Sequence, residues 1–165
     1  MIVADVKTVR ELDRLTLRAG VPGLTLMERA GDGVVETALR ILQGKEKGRV
    51  LVVCGKGSNG GDGLDAARKL AGAGTEVAGL LLFSEKEFRG DALACLQKAG
   101  AASVHLIDGR TAARWPDFTG FDLVIDAIFG TGFSGSLRGI VKSCARAINA
   151  SGVKVLSVDA PSGVD

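Results

Sequence analysis

The side chains best suited to chemistry fall in three short segments. The first is GKGSNGGDG at 55–63, where an amide, Asn59, and a carboxylate, Asp62, stand among glycines 55, 57, 60, 61 and 63. Glycine-rich turns leave backbone N–H groups open to a ligand, and a following helix adds its positive end. Neither Lys-Ser nor Lys-Thr follows the last glycines, which excludes a Walker-type phosphate loop. Gly55, Gly57 and Gly60 match the dinucleotide pattern G-x-G-x-x-G. Asp62 is the unusual member, because it falls where the helix is expected to begin, among N–H groups that would otherwise receive pyrophosphate. Asp is a good N-cap, and capping does not exclude a ligand role. Together with Asn59 it suggests a site that also handles hydroxyls or a cation. The second segment is DAIFGTGFSGS at 126–136, and the third is DAPSGVD at 159–165. Each of the two opens on an aspartate.

Each segment begins where an apolar run ends. The run Val50–Cys54 has no polar alternation and reads as a strand covered on both faces. Leu64, Ala67, Leu70 and Ala71 then recur at helical spacing over about 63–72. The alternation continues with strands over about 75–83, 103–107, 121–126 and 153–158, and helices over about 90–99 and 137–150. Such a series implies a mostly parallel sheet with right-handed crossovers, a three-layer α/β/α, Rossmann-like fold. In strand order 3-2-1-4-5 the carboxyl ends share one edge, where ligands bind. Asn59, Asp126 and Asp159 are then expected to converge there.

Two helices precede the sheet. Thr8-Val9-Arg10-Glu11 reads as a capping box, with Val9, Leu12, Leu15 and Ala19 on one face. A second helix is expected from Pro22 to about Leu42, with Gly31 and Gly33 inside it, explained either by close packing or by a break. Met27 and Leu26 are expected in the core. The pair could cover the sheet edge or form a subunit interface, and a homodimer is the expected assembly. Trp115-Pro116-Asp117 reads as a surface loop. The chain stops inside its third loop with no closing element, so a C-terminal part is expected to be missing.

The 165 residues fit one domain, 1–165, with N-terminal helices over 1–48 and a Rossmann-like core over 49–165. Apolar residues make up 46% and the net charge is only +2, so neither a nucleic acid nor a membrane partner is indicated. There is no long apolar run, and the mixed, charged N-terminus leads to no expectation of a signal peptide. Cys54, Cys95 and Cys144 lack metal-ligand spacing and lie in apolar stretches, as reduced thiols of a cytoplasmic protein would. His105, the sole histidine, falls in strand three and reads as structural.

The three loops in order resemble the NAD(P)H-hydrate epimerase family, whose pattern is G-x-G-N-N-G-G-D-G, then D-A-x-F-G-T-G, then D-x-P-S-G. This chain carries GKGSNGGDG, DAIFGTG and DAPSG, and its segment LDRLTLRAGVPGLTLMERAG resembles the family's opening. Ser58 replaces the family's first Asn and keeps a hydrogen-bonding side chain. The resemblance implies interconversion of the R and S forms of hydrated NADH or NADPH. It implies that Ser58, Asn59, Gly60, Gly61 and Asp62 contact the hydrated dinucleotide. Gly130, Thr131, Gly132, Phe133, Ser134, Gly135, Ser136 and Asp159 are implied to do the same. Asn59, Asp126 and Ser162 would hold a potassium ion, since hard cations take oxygen ligands. Inverting a carbinolamine carbon needs the hydroxyl protonated as it leaves and water deprotonated as it returns. One buried carboxylate can do both in turn, and Asp159 is the expected catalytic residue. The resemblance also implies, as one form of the full-length chain, a fused C-terminal dehydratase domain like that of the family's bacterial repair enzymes.

Two other readings are open. An NAD(P)-dependent oxidoreductase would use Gly55, Gly57 and Gly60 and want an acidic residue after strand two, where Glu85 is the candidate. A non-catalytic nucleotide-binding module would keep the pocket and act through the N-terminal helices.

Overall fold

The computed structural model describes residues 5–43, 47–111 and 115–164. Helix α1 (Val6–Arg18) and helix α2 (Gly23–Ile41) precede strand β1 (Arg49–Cys54) and helix α3 (Ser58–Gly72). Strand β2 (Glu76–Leu81), helix α4 (Gly90–Gly100) and strand β3 (His105–Asp108) follow. Strand β4 (Leu123–Ala127), helix α5 (Gly139–Ser151) and strand β5 (Val155–Ser157) complete the described elements, with single 3-10 turns at Glu85–Glu87 and Phe118–Gly120. All neighbouring strands pair in parallel, in the order β3-β2-β1-β4-β5 expected from the sequence. Trp115-Pro116-Asp117 lies outside the regular elements, and residues 112–114 just before it are outside the described ones.

The sheet separates two cores, as runs covered on both faces require. Val50, Val52 and Cys54 of β1 face one core with Leu64, Leu70 and Phe88, while Leu51 and Val53 face the other with Val124, Cys144 and Ile148. The three cysteines are free and buried. Desolvation pushes Cys54 and Cys144 up to about 12 and Cys95 up to about 11, so their thiols act as small apolar groups. His105 opens β3 with an exposed side chain.

The largest departure from expectation is the start of α3. The glycine segment is not a loop up to residue 62. It turns helical at Ser58, with Gly57 as N-cap, so Asp62 is not the cap but lies in the second helical turn. Glycines 60, 61 and 63 do not have positive φ; they are there because neighbours leave no room for a Cβ. One at Gly60 would overlap the Gly55 carbonyl, one at Gly61 the Met27 sulfur, and one at Gly63 the Ala127 methyl. Gly55 is pressed in the same way against the Ile128 carbonyl. The helix therefore starts almost on top of the β1–β4 junction, and low helix propensity yields to tertiary packing.

Helix α2 runs unbroken through Gly31 and Gly33. Gly31 permits close packing, since a Cβ there would overlap Asp65, whereas Gly33 faces open space. Asp65 is only 1% exposed. Arg68 Nη2 at 2.7 Å and Lys69 Nζ at 2.8 Å pair its charge, and Lys69 also donates to the Glu28 carbonyl at 2.6 Å, tying α3 to α2. Met27 is in the core as expected, while Leu26 is only half-buried.

The first helix begins earlier than the Thr8 capping box predicts. Asp5 is the N-cap, accepting the Thr8 N–H at 2.7 Å. Its expected apolar face is not buried by this chain: Leu12 is 55% and Leu15 49% exposed.

Candidate active site

The three motif-bearing segments lie at the carboxyl ends of β1, β4 and β5 and border one cavity of about 920 Å³. Ser58, Asn59 and Asp62 line it from α3, Gly130, Thr131, Gly132 and Phe133 from the segment after β4, and Asp159 from the turn after β5. Gly60 and Gly61 are buried in packing instead, and Ser134, Gly135 and Ser136 do not line the cavity. Glu85 opens the 3-10 turn past β2 and does not line it either. Sequence reading missed the part played by the N-terminal helices. Val9, Arg10 and Asp13 of α1 and Val34 and Thr37 of α2 border the same space. Arg10 donates from Nη2 to the Thr131 carbonyl at 2.9 Å, fastening α1 to the β4 loop. The likeness of the segment from Leu12 onward to the family's opening was a signal for this, and Arg10 and Asp13, one helical turn apart at its start, were the polar part of that signal.

Asp126 is the fourth residue of β4 rather than its last, and it organises the turn that follows. Its Oδ1 accepts the Ile128 N–H at 3.2 Å and the Ser162 hydroxyl at 2.6 Å, and its Oδ2 accepts the Ser162 N–H at 2.9 Å. The Ser162 Oγ also accepts the Phe129 N–H at 3.0 Å. The second and third motifs are thus directly joined. Asn59 stands beside them with both side-chain polar atoms buried and without a hydrogen-bond partner. A Cβ on Gly130 would lie 3.0 Å from the Asn59 Oδ1 and would overlap the Asp159 carboxylate. A buried amide without partners is costly unless something meets it, and this one opens toward a ligand space. The oxygens of Asn59, Asp126 and Ser162 make a donor set that suits a hard cation.

Asp159 lies two residues past β5 and is exposed, not the buried carboxylate expected. Its φ of 66° is the one positive value among described non-glycine residues, a conformation that side-chain-bearing residues rarely adopt. Thr131 holds it there, donating its N–H at 2.6 Å and its hydroxyl at 2.8 Å to Oδ2. Asp62 is the more enclosed carboxylate of the cavity. Burial, with the charges of Asp159, Asp65 and Asp13 adding to it, pushes its carboxyl up to about 7. Phe129 and Phe133 stack with centroids 4.4 Å apart beside these groups, and Lys56 at the rim pairs with Glu87 at 2.8 Å.

Residues 23–165 match the family described as YjeF-related protein N-terminus. The chain belongs to that family. This YjeF-related chain is 40% identical to the NAD(P)H-hydrate epimerase of Pirellula staleyi over 168 residues, which is 99% of this chain and 73% of that protein. It is also 40% identical over 172 residues to the bifunctional NAD(P)H-hydrate repair enzyme Nnr of Moorella thermoacetica, covering 100% of this chain but 32% of that one. The YjeF-related chain therefore spans about a third of the bifunctional relatives' length. Its fold is that of the crystal structure of yeast ynu0, with a TM-score of 0.87 and 24% identity over 98% of this chain and 71% of the other.

Proposed function

We propose that this chain epimerises hydrated NADH and NADPH in nicotinamide cofactor repair, as an isomerase. The observation that carries the reading is the meeting of all three family motifs around one cavity large enough for a dinucleotide. Relatives that match 99% and 95% of this chain bear the name NAD(P)H-hydrate epimerase. Because the site lies on the edge of the sheet where β1 and β4 adjoin, a dinucleotide can enter along the crevice between their loops.

The chemistry follows from the substrate. At C6 the ring nitrogen and a hydroxyl share one carbon, so loss of the hydroxyl leaves a cation that the nitrogen lone pair stabilises. Asp159 is the proposed catalytic residue, fixed by Thr131 at the cavity wall, and proton transfer by a placed carboxyl contributes typically 10²–10⁴-fold. Ser58, Asn59, Asp62 and Gly130 to Phe133, which line the cavity, form the proposed substrate-binding surface, with Gly60 and Gly61 packed behind it and Ser134, Gly135 and Ser136 continuing the segment outside the cavity wall. A potassium ion is the proposed cofactor, held by Asn59, Asp126 and Ser162. It would supply fixed positive charge that meets the orphaned amide and offsets the Asp126 carboxylate. A homodimer that covers the exposed Leu12 and Leu15 of α1 is the proposed assembly, and the cytoplasm, which suits free buried cysteines, the proposed location. Among the described residues no helix is long and apolar enough to cross a membrane. The bifunctional relatives motivate a fused repair domain in longer forms of such chains.

The test is direct. Either hydrate, isolated as one epimer, is incubated with the chain while chromatography follows the epimer ratio and absorbance follows any redox change. Equilibration well above the spontaneous rate, with no NADH oxidised or formed, is the expected outcome. Hydride transfer would favour the oxidoreductase reading, and a background rate would leave only a binding role.

A further inference from the structure

We propose that epimerisation here uses two carboxylates on opposite faces of the nicotinamide ring, Asp159 on one and Asp62 on the other, which makes Asp62 a second catalytic residue. The inference rests on the epimerase reading. Epimerisation by hydroxyl exchange removes a hydroxyl from one face of C6 and returns water to the other. A single fixed carboxylate reaches one face only, so exchange through it alone restores the starting epimer. The cavity holds the second group this stereochemistry demands.

The two carboxylates reach the cavity from different sides. Asp62 projects from α3, which follows β1, and Asp159 follows β5; β4 lies between those strands and sends Gly130 and Thr131 into the gap. Both line the one cavity, and after burial itself the Asp159 charge does most to raise the Asp62 carboxyl. Their settings differ as an acid and a base should. Asp62 is enclosed and holds its proton up to about 7, whereas Asp159 is exposed and receives two hydrogen bonds from Thr131. The charged or titratable groups around Asp62 are Arg10 and Asp13 from α1, Asp65 on its own helix, Cys95 from α4, Lys56 at the rim and Asp159. Helix α2 adds only uncharged residues to the cavity wall.

The C6–O bond breaks with its electron pair on oxygen, which takes the Asp62 proton and leaves as water, while the ring nitrogen lone pair forms the C6=N1 bond. A second water adds to C6 from the other face and gives its proton to Asp159. The product is the opposite epimer, with Asp62 ionised and Asp159 protonated. That pair is set for the reverse reaction, and the proton returns from Asp159 to Asp62 through cavity water.

Oxygen-18 water provides the test. Each pure hydrate is incubated with wild type, Asp62→Asn and Asp159→Asn, and both epimer ratio and label at C6 are read after subtraction of the spontaneous rates. Each variant is expected to lose epimerisation by about 10²–10⁴-fold. Each should still exchange the hydroxyl of one epimer with retention, and the epimer should differ between the two variants. Asp62→Asn that epimerises within a few-fold of wild type overturns the proposal. So does loss of label exchange from both epimers in that variant. Should the variant fold poorly, the wild-type pH profile decides: two groups in opposite protonation states give a bell for both directions, and a single limb overturns the idea. A wild type no faster than background overturns the epimerase reading itself, whereas an active wild type beside an active Asp62→Asn overturns only the second carboxylate.

Discussion

Burial pushes the Asp62 carboxyl up to about 7, from the 3.8 of a free side chain. A carboxyl that holds its proton more tightly when folded contributes stability below the unfolded value and loses it as pH rises through the folded one. Stability is therefore expected to fall between about pH 4 and pH 7 through this residue. Asp62→Asn removes the penalty, so its melting temperature should exceed that of wild type at pH 8 and converge with it near pH 4. For a chain of this size each kcal/mol is worth about 2–4 °C. Thermal unfolding at the two pH values checks this, and equal melting temperatures at pH 8 would mean that Asp62 is well solvated. Sequence alone placed Asp62 in the site but could not show its state. Its enclosure depends on α1 and α3 arriving together and on Asp13 and Asp159 from distant segments. Asn59 was legible as a site residue for its type and loop, yet its lack of any partner is a property of packing alone.

At the scale of elements, the strand order was readable because runs such as Val50–Cys54 have no polar face and parallel crossovers have one hand. The start of α3 was not, since S-N-G-G-D-G has the composition of a turn and helix propensity argues against it. What makes it helical is the absence of Cβ atoms where the Gly55 carbonyl, Met27 and Ala127 crowd the first turns. Gly60→Ala is therefore expected to reduce stability strongly, by about 1–3 kcal/mol or more, because its methyl meets backbone that cannot rotate away. Chemical denaturation of the variant checks it. A change under about 0.5 kcal/mol, the range of ordinary surface substitutions, would show that the helix start shifts freely. The apolar face of α1 illustrates the opposite failure: its period was correct, but period does not say what covers it, and Leu12 and Leu15 remain exposed in the single chain.

Over the whole molecule, the site joins segments more than a hundred residues apart. Arg10 meets the Thr131 carbonyl, and Ser162 bonds the Asp126 carboxylate. The last of these segments is carried by β5, which is joined to β4 through only three register pairs, Val124 with Val155, Ile125 with Leu156 and Asp126 with Ser157. The strand that delivers Asp159 and Ser162 thus has far less holding it than β1, which is paired on both sides. Backbone amides at 155–164 are expected to exchange with deuterium faster than those of β1, through openings that leave the central strands intact. A ligand that touches both the α3 start and the β5 turn binds only the closed form, so at one hundred times its dissociation constant it stabilises that form by about 2.7 kcal/mol. Exchange at 155–164 should slow accordingly, by on the order of a hundredfold. The free chain would then spend part of its time with an intact fold and a dismantled site, and the abundance of such a ligand would itself set how much of the population is competent.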